Sequence, residues 1–212
     1  TKRLLEETND RAAELALIND VQRGLAEKLD IQAMYELVGD KIQEIFDAQV
    51  VDIGIFDVEA ELIRFPYTIE RGVRYPDEPV PFNAAANDFR RNKETLVLNR
   101  DIEGWYASRG FDLVIQGEAP RSMVFVPLMV GDDVRGRISL QNLDTEDAFS
   151  ESDVRLLTTL AASLSVALEN VRLIDETRQR LAELATVNEI GNALATQLDL
   201  GALLDLAGDQ MR

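Results

Sequence analysis

Leu4, Thr8, Arg11, Leu15, Ile18, Gln22, Leu25 and Leu29 follow alternating steps of four and three. That spacing predicts a first helix with a heptad seam, weakened where polar residues occupy it. A second helix is expected over 31–46, with Met34, Leu37, Val38, Ile42 and Ile45 on one face. The period then changes to two. Val51, Ile53 and Ile55 alternate with Asp52, Gly54 and Phe56, which predicts a half-buried strand, and 62–69 reads as its hairpin partner. Pro76, Pro79 and Pro81 remove ladder donors and make 71–81 a loop long enough to serve as a lid. A short helix over 84–91, a strand over 95–98 and a helical turn over 102–108 follow. A long hairpin comes next, 122–130 and 134–143 around Gly131-Asp132-Asp133.

From Ser150 the three-four spacing resumes through Leu157, Leu160, Leu164, Ala167, Val171, Ile174, Arg178, Leu181, Ala185 and Asn188, with no Pro or Gly before Gly191. A helix of about 40 residues would be about 60 Å long, more than a small domain can cover, so its distal part is expected to pair with the same helix of another chain. Residues 4–42 and 173–211 also repeat each other without a gap, with 17 identities in 39 positions. The matches include Ala13-Glu14-Leu15-Ala16 with Ala182-Glu183-Leu184-Ala185 and Gly39-Asp40 with Gly208-Asp209. A gapless internal match of this kind predicts one whole unit followed by the opening of a second. The expected boundaries are a linker helix over 1–19, a domain over 20–175, and a signalling helix with the start of a second domain over 176–212.

The 212 residues carry a formal net charge of -17, which disfavours nucleic acid and anionic membrane surfaces as partners. The excess is uneven. Residues 61–140 hold 11 basic and 12 acidic side chains, so this middle segment is close to neutral and compatible with an anionic small molecule. The chain has no Cys and no His. Disulfides, thiol catalysis, His-ligated haem or zinc and Ser-His or Cys-His nucleophile pairs are therefore excluded. The adjacent carboxylates Asp132 and Asp133 sit on a hairpin turn without an acid-base partner, so the chain is expected to be non-catalytic. No signal segment or bilayer-length apolar run is apparent, and a cytoplasmic location without direct membrane contact is expected.

Arg121-Ser122 opening the hairpin, Pro127-Leu128, Gly136, Asn142 and Phe149-Ser150-x-x-Asp153 at the entry to the last helix together resemble a GAF domain. The resemblance covers most of 20–175. It implies an α+β fold with an antiparallel sheet of about six strands, flanking helices on one side and a loop-closed ligand pocket on the other. Long terminal helices forming a dimeric coiled coil are also implied. Such domains occur in tandem in histidine kinases, nucleotide cyclases and phosphodiesterases, and bind cyclic nucleotides, bilins, haem, amino acids or metals, or act as dimerising struts. Covalent bilin attachment and His-ligated haem are disfavoured by the missing Cys and His. Of the cyclic-nucleotide motif Asn142, Phe149 and Asp153 are present, while Leu143 and Val154 replace its Lys and Glu. Ser150 and Asp153 are equally placed for a capping box, and Phe149 and Val154 for a hydrophobic staple, which leaves Asn142 without a structural account.

The candidate ligand-binding residues are Tyr67, Phe82, Asp101, Trp105, Tyr106, Arg121, Ser122, Ser139 and Asn142. The aromatics have polar handles suited to a pocket wall, and Arg121, Ser122, Ser139 and Asn142 are expected on the sheet's pocket face. Asp101 would accept a ligand amine or cap the turn that follows it. The expected function is a sensory domain that binds a small metabolite and relays its state through a homodimer of the terminal helices. A ligand-free dimerising spacer and a cyclic-nucleotide-binding domain are the alternatives.

Overall fold

The computed structural model describes residues 2–28, 30–46, 48–75, 78–111 and 118–209. Helix α1 (Lys2–Glu27) is followed by Asp30, whose carboxylate accepts hydrogen bonds from the amides of Gln32 and Ala33 and so starts α2 (Ile31–Ile45). The sheet is antiparallel throughout, in the order β3 (Val73–Arg74), β2 (Leu62–Glu70), β1 (Val50–Asp57), β7 (Asp133–Asn142), β6 (Ser122–Val130), β5 (Leu96–Leu98). A seventh strand, β4 (Val80–Pro81), also pairs with β2. Two strands therefore lie in the stretch that the prolines marked as loop, each only two residues long; Pro76 and Asp77 lie outside the described residues. Helices α3 (Ala84–Asn92) and α4 (Ile102–Ser108) fall where the pattern put them.

The centre of the sheet is covered on both sides. Strand β1 is buried along nearly its whole length, so it is not the half-buried strand its alternation suggested. One face carries Val51, Ile53, Ile138 and Leu140, all fully buried beneath α2 and the last helix, α5 (Glu151–Asp209). Helix α2 approaches closely through Gly39, where an added Cβ would lie 2.4 Å from the Tyr67 ring. In α5, Leu157, Leu160 and Leu164 are withdrawn from water, each worth about 2 kcal/mol of burial. Ser150 and Asp153 form the expected capping box. The Ser150 amide donates to the Asp153 carboxylate at 2.8 Å, and the Asp153 amide donates back to the Ser150 hydroxyl at 3.3 Å.

The chain divides into two compact units, Thr1–Glu169 and Asn170–Arg212. In the first, Val21 and Leu25 of α1 are buried while Leu15 is exposed; Leu29 and the side chains of Leu4 and Thr8 lie outside the described residues. The second is helical through Asp209, with Leu173, Ile174, Leu181, Leu184, Val187 and Ile190 exposed. Contrary to the sequence expectation, one described segment, Glu151–Ile190, is long and apolar enough to cross a membrane by length and composition alone. Its leucines at 157, 160 and 164 are core residues of the first unit, which accounts for its apolar character.

Candidate functional site

Across the sheet from α2 lies a cavity of about 1030 Å³. Its floor is formed by strand residues that share one face: Asp52 of β1, Phe65 and Thr68 of β2, Phe125 of β6, and Arg137 and Gln141 of β7. Its walls come from Tyr75, Glu78 and the run Val80 to Asn83, from α3 through Ala85, Ala86 and Phe89, and from α4 through Trp105 and Tyr106, with Arg109 just beyond. A cluster of buried residues, Phe56, Ile63, Phe89, Ile102, Tyr106 and Phe125 among them, supports these walls. Gly54, opposite Arg137 in the β1–β7 ladder, lets Ile63 of β2 sit close, since an added Cβ would lie 3.1 Å from the Ile63 Cγ2.

The polar floor is the unusual part. Asp52 is buried, and its Oδ2 accepts from Gln141 Nε2 at 3.3 Å, while its Oδ1 has no hydrogen-bond partner among the described residues. Burial pushes the Asp52 carboxyl above the usual aspartate range, against the opposing influence of Arg137, Ser139 and Gln141. Arg137 lies over the Phe125 ring at 4.3 Å, and its buried Nε is likewise unpartnered. A buried donor or acceptor left unmade costs about 1–3 kcal/mol, so two such atoms on one cavity floor are expensive unless something else binds them. Burial also raises the Tyr106 hydroxyl above its ordinary value, which keeps it a neutral donor.

Of the nine residues singled out from the sequence, Phe82, Trp105 and Tyr106 line this cavity. Phe82 packs edge-on against Phe56 at 5.6 Å, and Trp105 carries Arg109 over its ring at 4.1 Å. The structure places the others elsewhere. Tyr67 points to the α2 side, donating to Asp40 at 2.9 Å with Arg74 over its ring, because β2 bulges at Phe65-Pro66, two residues facing the single Gly54. Asp101 caps α4 by accepting from the Gly104 amide at 3.1 Å. Arg121 is exposed.

Ser122 and Asn142 are opposite each other in the β6–β7 ladder and share the face under the helices, which corrects their expected position. The Ser122 hydroxyl donates toward the carbonyls of Asn99 and Thr145 and accepts from the Ala148 amide. Asn142 Oδ1 accepts from the amides of Asp144 and Thr145 and from the Thr145 hydroxyl, at 3.0, 2.8 and 3.1 Å. These are turn bonds at the end of β7, the structural account that Asn142 had lacked. Ser139 is on the cavity side, opposite Asp52, and accepts from Gln141 at 3.2 Å without itself lining the cavity.

Asp52, Arg137 and Gln141 were missed. The signal available was an aspartate inside an apolar strand and an arginine two residues from Ser139. At the cavity rim Arg71 reaches both Glu118, at 3.1 Å, and Asp144, at 2.9 Å. Their hydrogen bonds to Arg71 lower both carboxyl pKa values, and joining these segments ties the rim to the β7–α5 connection.

The chain matches the GAF domain family over residues 28–169. In sequence it is 24% identical over 205 residues to the circadian input-output histidine kinase CikA of Thermosynechococcus vestitus, an alignment covering 90% of this chain and 28% of that protein. Among solved structures, it is similar to the GAF domain of a sensor histidine kinase from Pseudomonas syringae pv. tomato, with a TM-score of 0.57 and 16% identity, covering 84% of this chain and 99% of the other. It is also similar to the blue-light-absorbing form of the PixJ GAF domain, a cyanobacteriochrome from Thermosynechococcus elongatus, with a TM-score of 0.57 and 16% identity, covering 73% and 94%. At these identities the two structures establish the shared fold.

Proposed function

Because the chain belongs to the GAF domain family, we propose that it is a non-catalytic sensory domain of a larger signalling protein, of the histidine kinase or nucleotide cyclase type, that binds a small ligand on the polar floor of its cavity. The observation that carries this reading is the pair of buried, unpartnered atoms, Asp52 Oδ1 and Arg137 Nε, on the floor of a cavity walled by aromatic side chains. A ligand that satisfies them gains hydrogen bonds in a dry site, which is how a few placed polar groups give a pocket its selectivity. Cyclic nucleotides fit less well, since six carboxylates against two guanidiniums line the cavity among the described residues and Asn142 is committed to a turn. Covalent bilin chemistry lacks its Cys.

Output would pass through α1 and α5. Leu181, Leu184, Val187 and Ile190 are exposed in the second unit, and the heptad spacing through Asn188 supports a parallel homodimer along this segment. Residues 173–211 would then be the opening helices of a second GAF copy, continuous with the signalling helix. Ligand binding would shift the population between two packings of these helices rather than supply energy of its own. The test is a thermal-shift screen of metabolites paired with sedimentation. A ligand that raises the melting temperature by several degrees in the wild type but not in Asp52→Asn supports the reading. A Leu181→Lys/Leu184→Lys variant should sediment as a monomer. A folded wild-type dimer that binds nothing would instead favour a ligand-free dimerising spacer.

A further inference from the structure

The charges around the cavity identify the class of ligand more narrowly than its size does. Among the described residues six carboxylates line it, and two of these are already engaged beyond the lining, Glu118 with Arg71 and Asp88 with Arg91. Asp52, Glu70, Glu78 and Glu94 remain, against the two guanidiniums of Arg109 and Arg137. Both guanidiniums lie over aromatic rings, Arg109 on Trp105 at 4.1 Å and Arg137 on Phe125 at 4.3 Å. A cavity with this balance repels phosphate and carboxylate groups and attracts cations, most strongly where water is excluded.

Acidic residues alone would be an ordinary solvated surface. Asp52 is different because it is buried at the centre of the sheet, faces the cavity, and has an Oδ1 with no donor among the described residues. Gln141 donates to the other oxygen, and Ser139, directly opposite, receives a bond from the same Gln141 amide nitrogen. Oδ1 is itself shut off from water, so the carboxylate holds an unused acceptor at the cavity floor. The aromatic side chains of Phe65, Phe82 and Trp105 suit the apolar stem of such a ligand.

We infer that the cavity recognises a small organic cation, an amine or guanidine carried on a short apolar stem, with its N–H donors directed at Asp52 Oδ1. The inference rests on the ligand-binding reading above and narrows it. A ligand acceptor, such as a hydroxyl or carbonyl oxygen, would complete the site at Arg137 Nε, whereas a carboxylate there would restore a zwitterion and lose the advantage of the acidic lining.

Trp105 is the single tryptophan of the chain and lines the cavity, so its fluorescence reports occupancy directly. The full chain is titrated at constant ionic strength with agmatine and putrescine as cations and with glutarate and cyclic AMP as anions. At least one cation should give a saturable change, and Asp52→Asn should raise its midpoint about tenfold, the loss expected for a hydrogen bond between charged groups. Should Asp52→Asn fail to fold, Glu70→Gln and Glu94→Gln, on the cavity wall, are expected to weaken the cation severalfold without moving the response to either anion. An unchanged midpoint in these variants overturns the inference. Saturation by an anion alone overturns the cation class and leaves the ligand-binding reading standing, while silence from all four probes to about 10 mM overturns both.

Discussion

Under α2 and α5, the sheet presents Val51, Ile53, Ile138 and Leu140 fully withdrawn from water, and the polar groups on that face, Tyr67, Ser122 and Asn142, have hydrogen-bond partners within the protein. On the cavity face the same strands bury Asp52 and the Nε of Arg137, each with a polar atom that has no partner among the described residues. The difference separates two uses of burial. Where polar groups are satisfied internally, burial specifies the packing; where they are left open beside a cavity, it holds a binding site ready at a cost in stability. Chemical type does not distinguish the two sets, since serine, asparagine, aspartate and arginine all occur in strands β1, β6 and β7.

Truncating one apolar side chain on each face separates the two most directly. Leu140→Ala removes a fully buried side chain from the closed face and should cost about 3 kcal/mol, because the lost transfer energy is joined by a new cavity. Phe82→Ala, whose ring already borders open space, should cost about 1–2 kcal/mol, as there is less surrounding packing to lose. Urea unfolding of both variants checks this. Equal costs would mean that the cavity is closed in solution and that the two faces are packed alike.

A smaller effect is expected at a polar residue of the closed face. Asn142→Ala removes the oxygen that accepts three hydrogen bonds at the end of β7 and should cost about 1–2 kcal/mol, leaving the Trp105 response to any ligand unchanged. A variant of normal stability that no longer responds to ligand would return Asn142 to the binding site and reverse its assignment to the turn.

The elements were legible because each had a local physical signal. The period of two marked β1, β2 and the β6–β7 hairpin, Ser150 with Asp153 marked the start of α5, and Asp101 preceded α4 as a capping aspartate would. What the sequence left hidden was which side of a strand faced which layer. Ser139 and Asn142 lie three apart in one strand, so simple alternation already places them on opposite faces, and grouping them in one pocket overlooked that parity. Tyr67 was harder, because the extra residue at Phe65-Pro66 reverses the alternation, and nothing but the missing amide of Pro66 hints at it.

Asp52 was read as the solvent side of a half-buried strand; only the tertiary structure shows both faces of β1 covered. The repeated segments make the same point about context. In the first copy the helix is interrupted and restarts at the Asp30 cap, with α2 docked on β1 and β2, whereas the matching Asp199 lies inside α5. The break therefore depends on docking as well as on local sequence.

The smallest expected effect concerns Asp52 itself and has the opposite sign from the others. Its carboxyl is held above the ordinary aspartate value mainly by burial, so the folded state binds the proton more tightly than the unfolded chain. Stability from this group should therefore fall as pH rises from about 4 through the folded-state value, because the unfolded chain gives up its proton first. Asp52→Asn cannot ionise. It should be more stable than the wild type at neutral pH, with the advantage vanishing as pH falls below about 4. Melting temperatures of both proteins across that range decide the matter. A variant less stable than the wild type at neutral pH would show that the charge of Asp52 is already compensated within the protein, by Arg137 first of all, and the cavity face would then resemble the closed face more than its open oxygen suggests.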